Sequence, residues 1–185
     1  MRFQFHVTLV DLPVERKERF LELCQIEGVK PVLIELEKGE HIRQPMFTRN
    51  LDAERLDAAL AEVQKTSDKF VAAGFEISRV KAEIDPRQNA DYLSDERYYE
   101  WHCLVRYQDE EELKALCRER EAHLSRNALN PGEKFVSIRF YDKDAFYQAV
   151  EKTEDALKLG RFEIVKEKFE YSVYDSRLEL DKGWA

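Results

Sequence analysis

One nine-residue stretch of this chain occurs twice, matched at six of its positions. Phe75-Glu76-Ile77-Ser78-Arg79-Val80-Lys81-Ala82-Glu83 returns as Phe162-Glu163-Ile164-Val165-Lys166-Glu167-Lys168-Phe169-Glu170, with Phe, Glu, Ile, a basic residue, Lys and Glu in matching places. Both copies alternate with the two-residue period of a strand, and each closes a helical pattern. A chain built this way reads as two copies of one small unit, joined near Asp85 to Asp95.

The order of elements within a copy follows from periodicity. Phe3, Phe5, Val7 and Leu9 alternate with Gln4, His6 and Thr8 in a half-buried strand. Asp11 and Pro13 open a helix carrying Phe20, Leu21, Leu23 and Cys24, which Gly28 ends. Val32 to Leu36 and Ile42 to Thr48 form a hairpin around Glu37-Lys38-Gly39-Glu40, although Pro45 argues for an edge or a bulge. A long amphipathic helix from Asp52 to Gly74 then leads into the repeated strand.

The second copy matches it. Its strands run over Tyr98 to Tyr107, His123 to Leu129 and Lys134 to Tyr141, with helices after Asp109 and over Asp144 to Leu159. The last strand continues to Asp175, and a polar tail ends at Trp184, read as a docking anchor. The predicted units are residues 1–85 and 97–176, with a linker at 86–96 and a C-terminal tail at 177–185.

Each β-α-β-β-α-β half resembles the ferredoxin-like unit, a sheet covered by helices on one face only. The expected fold is therefore α+β: two tandem ferredoxin-like repeats with antiparallel sheets, related by a pseudo-twofold axis, their bare faces brought together. Fold alone assigns no function.

Strand parity then specifies what lies between those faces. The first half presents Gln4, His6, Thr8, Gln44, Thr48, Arg79, Lys81 and Glu83, and the second Glu100, His102, Arg106, Ser137, Arg139, Lys166, Lys168 and Glu170. Because the first and fourth strands of the unit are neighbours, His6 should lie near Lys81 and Glu83, and His102 near Lys168 and Glu170. Two imidazoles facing one hollow can act as general base and general acid, and Lys81, Lys168, Arg106 and Arg139 would complement a phosphate or carboxylate. Arg126 and Asn127, in the polar cluster His123 to Ala128, are further ligand contacts. The alternative is that these are solvated sheet faces with weak cross-strand pairs.

His6-Val7-Thr8-Leu9 is similar to the His-x-Thr/Ser-hydrophobic element of the two-histidine phosphoesterases, the family of RNA 2',5'-ligases and cyclic phosphodiesterases. The resemblance implies one element per lobe, His6 moving a proton and Thr8 holding the phosphate. The second half has His102-Cys103-Leu104-Val105, without the hydroxyl; His123-Leu124-Ser125 has the spacing but falls on a different predicted strand.

The expected function is binding of a small anionic, phosphorylated ligand, with hydrolysis of a phosphoester or phosphoanhydride if the chain is an enzyme. The competing expectation is a non-catalytic interaction or regulatory module whose open sheet faces pair with each other or across a homodimer. No metal site is assigned and no cofactor is expected, Glu83 and Glu170 being the pair able to take a divalent metal. A formal net charge of -8 argues against general nucleic-acid binding. No membrane span is evident, and three cysteines suit reduced thiols, so a cytoplasmic location is expected.

Overall fold

The computed structural model describes residues 1–88, 93–94 and 96–183. Its elements are β1 (Arg2–Leu9), α1 (Lys17–Ile26), β2 (Lys30–Leu36), β3 (Arg43–Asp52), α2 (Leu56–Ala72) and β4 (Ile77–Ile84). They recur as β5 (Tyr99–Arg106), α3 (Glu110–Glu119), β6 (His123–Asn127), β7 (Lys134–Phe140), α4 (Lys143–Leu159) and β8 (Glu163–Asp175). Each half thus has the ferredoxin-like order of elements, in an α+β protein.

Two separate sheets facing one another, however, are not what forms. The eight strands close into a single antiparallel barrel in the order β1-β3-β2-β6-β7-β5-β8-β4, an order unchanged when the halves are exchanged. Two seams close it. At one, β2 meets β6 through Ile34↔Asn127, Glu35↔Arg126 and Leu36↔Ser125. At the other, β4 meets β8 from Lys81↔Asp175 to Ile84↔Tyr171. The physical reason is the length of β8: its first nine residues pair with β5, and its extension past Tyr171 supplies the edge that β4 would otherwise leave unpaired. The faces expected to be bare are the inner wall of this barrel.

The apolar positions point outward, under the helices. Phe3, Phe5 and Val7 of β1 are fully buried with Phe20 of α1 and Phe70 of α2, and Phe70 stacks on Phe47 of β3 at a centroid distance of 4.3 Å. Trp101, Cys103 and Val105 of β5 are buried in the same way with Phe146 and Leu157 of α4. The hydrophobic core therefore lies between barrel and helices, and the barrel interior is lined by polar residues together with an apolar sector of Val32, Ile34, Leu36, Met46, Leu104 and Phe135. Cys24, Cys103 and Cys117 are free and buried, and burial pushes each thiol up to about 12.

Pro45 sits inside β3 opposite Leu33. It is tolerated because the pairing of β3 with β1 ends at Thr8↔Met46, so Pro45 is locally at an edge. Asp109 accepts the backbone N–H groups of Glu111 (2.8 Å) and Glu112 (3.2 Å), capping α3. Asp109→Ala should cost about 1 kcal/mol of stability, read from the urea midpoint.

The tail does more than trail off. Leu178–Asp181 forms a 3-10 turn whose Leu180 and Asp181 are buried, and it anchors the chain end against the barrel. Trp184 and residues 89–92 and 95 of the linker lie outside the described residues. The described part of the linker packs on β8: the Arg87 guanidinium lies 4.5 Å over the Phe169 ring, and the Tyr171 hydroxyl donates to the Ser94 carbonyl at 2.7 Å.

Candidate functional site

Alternation along eight strands places one side chain in two on the barrel's inner wall. The interior is a cavity of about 420 Å³ lined by His6, Thr8, Lys81, Glu83, His102, Asn127, Arg139, Lys168 and Glu170, all inferred from the sequence, together with Gln4, Thr48, Glu100, Ser137 and Asp181.

The two halves build matching constellations. On β1, His6 stands opposite Thr48 of β3 and Lys81 of β4; on β5, His102 stands opposite Ser137 of β7 and Lys168 of β8. His6 Nδ1 is 3.1 Å from Thr48 Oγ1, and its Nε2 is 3.1 Å from Glu83 Oε2. His102 Nδ1 is 2.7 Å from Ser137 Oγ, and its Nε2 is 3.2 Å from Glu170 Oε2. The other oxygen of each carboxylate meets a lysine: Lys81 bonds Glu83 at 2.5 Å, and Lys168 bonds Glu170. A Gln4 amide nitrogen 2.8 Å from His6 Nε2 and 3.4 Å from Glu170 Oε1 ties the two sets together.

A second layer is fully paired. Glu100 joins Lys81 to Arg139, which it accepts at 2.9 and 2.7 Å. Arg79 is held by Asp175 and Asp181, and Asp181 also accepts from Arg139 at 2.5 Å. Asp181 was not legible as a site residue: it stands six residues past the end of β8 in the tail, with no motif to mark it, and only the seam between β4 and β8 brings it to the arginines.

Burial and charge set the protonation states. Burial pushes the His102 imidazole down to about 4 against the pull of Glu100 and Glu83, and lowers that of His6 against the pull of Glu83. Both rings are neutral at pH 7. Burial would raise the Glu83 carboxyl, but Lys81 and His6 together hold it well below the usual range. Burial, with Lys81 and Lys166 adding to it, brings the Lys168 ammonium down to about 8 despite Glu83. With its Nε2 facing Glu170, the His102 ring carries its proton there and leaves Nδ1 to accept from Ser137, whereas His6 Nε2 meets both Glu83 and the Gln4 amide.

Two residues inferred from the sequence are elsewhere. Arg106 follows the inward parity but lies at the end of β5, where it is exposed and paired with Glu133 and Glu163 at 3.0 and 2.6 Å. Arg126 alternates outward between Ser125 and Asn127 and pairs with Glu35 at 2.6 Å, so the polar cluster of β6 is split by its own strand period. Asn127 reaches the cavity but is also occupied with the chain, accepting the backbone N–H groups of Leu33 and Leu129. Thr8 lines the cavity two residues from His6; its counterpart in the second half is Leu104, and the hydroxyl beside His102 comes from β7 instead.

As a place for a metal, His6, Glu83 and Glu170 offer ligand atoms that all lie within 4.8 Å of one another. The charge a cation would bring is already supplied there by Lys81 and Lys168, one on each carboxylate. A divalent ion would have to compete with both ammonium groups, although Glu83 Oε2 is buried without a hydrogen-bond partner among the described residues.

No helix among the described residues is long and apolar enough to cross a membrane. No protein-family model matches the sequence, and no curated protein matches it. Among solved structures, the chain is similar to the small subunit of acetolactate synthase from Thermotoga maritima, at 14% identity over 91% of this chain and 92% of that one with a TM-score of 0.35. It is similar to a chlorite dismutase from Candidatus Nitrospira defluvii (11% identity, 92% and 90% covered, TM-score 0.32). A heme-binding protein from Thermus thermophilus gives 13% identity, 92% and 89% covered, and a TM-score of 0.32. Likenesses of this size fix neither a family nor an activity.

Proposed function

We propose that the barrel binds a small anionic ligand, a phosphorylated one, in its interior, and that His6 and His102 carry protons for hydrolysis of its phosphoester or phosphoanhydride bond. One observation carries this reading. The cavity is lined by six cationic side chains, Lys30, Arg79, Lys81, Arg139, Lys166 and Lys168, against four carboxylates, in a chain whose formal net charge is -8. Arg79, Lys81 and Arg139 are matched by Glu83, Glu100, Asp175 and Asp181. Lys30 and Lys166, however, are exposed where they line the cavity, and with the part-exposed Lys168 they give it a cationic opening, for which an anion is the natural complement.

The chemistry suits the charge. Two neutral imidazoles can each take a proton, and each is oriented by a carboxylate on one nitrogen and a hydroxyl on the other. Lys168 is the cation best placed to respond to a ligand, being about a third exposed and already destabilised as an ammonium. The resemblance to two-histidine phosphoesterases supports this reading only as far as His6 and Thr8 of the first half. Three buried thiols suit a reducing, cytoplasmic setting.

Titration of the histidine ring signals by NMR, with and without inorganic phosphate and nucleotides, tests the proposal. His6 and His102 should shift together on addition of ligand, and Lys168→Met should weaken binding about tenfold, the loss of one charge-assisted contact. Two independent titrations blind to every phosphorylated compound would end it.

A further inference from the structure

We propose that Ser137 is a nucleophile, the first member of a hydroxyl–imidazole–carboxylate chain Ser137–His102–Glu170 that takes up a phosphoryl group from a phosphomonoester bound in the barrel. The inference rests on the anion-binding reading above and adds a covalent step to it.

The geometry is that of an activated hydroxyl. Ser137 Oγ is 2.7 Å from His102 Nδ1, and His102 Nε2 is 3.2 Å from Glu170 Oε2. Glu170 meets Lys168 with one oxygen and His102 Nε2 with the other, and a ring proton on that nitrogen leaves the Nδ1 lone pair to the serine hydroxyl. The positions are fixed by backbone register rather than by flexible loops, since Ser137, His102 and Lys168 are cross-strand partners on β7, β5 and β8. Ser137 lines the cavity, and Arg139 lies two residues along the same inner face.

The first half contains the corresponding chain Thr48–His6–Glu83, but its members differ in ways that matter for attack. The hydroxyl is on a branched carbon, its distance to the imidazole is 3.1 Å, and the far nitrogen of His6 is shared between Glu83 and Gln4. The two chains are thus one unit duplicated and then diverged, with the less hindered hydroxyl in the second half.

In the step proposed, Ser137 Oγ bonds to phosphorus as its proton moves to His102 Nδ1. The bond from phosphorus to the leaving alcohol breaks, and that oxygen takes the proton from His102. Water then attacks the phosphoserine with His102 as base, inorganic phosphate departs, and the proton returns to Ser137 Oγ. Nothing is oxidised or reduced.

The test uses the whole chain with p-nitrophenyl phosphate, quenched in acid, and separately with diisopropyl fluorophosphate. Peptide mass spectrometry should place the phosphorus adduct on Ser137. Labelling should fall at least about a hundredfold in Ser137→Ala and in His102→Gln, the usual scale for loss of a general base, and stay at the wild-type level in Arg126→Gln, outside the barrel. The wild-type adduct by itself locates the nucleophile, so a variant that fails to fold does not blunt the experiment. If neither probe marks Ser137 while phosphate still moves the His6 and His102 signals, the covalent step is wrong and the ligand site stands. Silence in both measurements removes both.

Discussion

Glu100→Ala should destabilise the protein by about 3–5 kcal/mol, the cost of leaving buried charge without its partner. Glu100 is 2% exposed and stands between Lys81 and Arg139, neither of which can shed its charge at neutral pH. Arg139 keeps Asp181 and Lys81 keeps Glu83, so the network loses its centre while its edges remain. With an m-value of about 2–3 kcal/mol/M, the urea midpoint should fall by about 1–2 M. Glu163→Ala, which removes an exposed partner of Arg106, should cost less than about 1 kcal/mol. A loss for Glu100→Ala no greater than for Glu163→Ala would mean that water already solvates the inner wall and that the charges there are not coupled.

Stability should also fall steeply between pH 7 and pH 5, by about 4 kcal/mol from His102 and His123 together. Burial holds each of these imidazoles at about 4 in the folded chain. In the unfolded chain they titrate near 6.5, so as pH falls through that value the unfolded state binds protons that the folded state refuses. Their stabilising contribution is therefore complete above the unfolded value and is lost progressively as pH drops toward 4. His6, shifted in the same direction, adds to the slope. The carboxylates disturb the measurement little, because Glu83 and Asp181 are held low in the folded chain. Their contribution begins to be lost only from about pH 5, as the unfolded chain's carboxylates start to take up protons. Urea unfolding at pH 7, 6 and 5 reads the slope, and His102→Gln should reduce it by about 1.4 kcal/mol per pH unit, one proton's worth. A flat profile over this window would show that the histidines are solvated and titrate freely in the folded protein.

Glu100 and His102, unlike His123, are residues whose inward placement was readable from the sequence. His6 and His102 sit at equivalent places in two alternating strands, and a strand has only two faces, so burying Phe5 and Trp101 sends both imidazoles to the other side. Lys81, Glu83, Lys168 and Glu170 follow from the repeated nine residues by the same rule. The pairing of first with fourth strand within each unit then brings each histidine to its lysine and glutamate, as the registers His6↔Lys81 and His102↔Lys168 record.

Where the sequence misled, a local rule met a global boundary. Arg106 obeys the alternation of β5, but the strand reaches past the barrel's end, and parity carries no information about where a barrel stops. Arg126 was grouped with Asn127 because they are adjacent, although adjacent residues in a strand necessarily face opposite ways. Ser137 and Thr48 could be assigned to the inner wall but not to the histidines, since their cross-strand neighbours depend on the register of β7 and β3.

The sequence by itself determined the element order, the duplication and the polar side of the first and last strands of each half, because those depend on periods of two and of about 3.6 residues that any short window contains. Tertiary structure alone decided that the two sheets become one barrel and that Asp181 enters its wall. Joining β2 to β6 and β4 to β8 is done by backbone N–H and C=O groups, which every residue but proline carries alike, so the side chains of those strands could not announce their partners. The enclosure that joins the two inner faces into one cavity, charged on one part of its wall and apolar over Val32, Ile34 and Leu36, is a consequence of that closure.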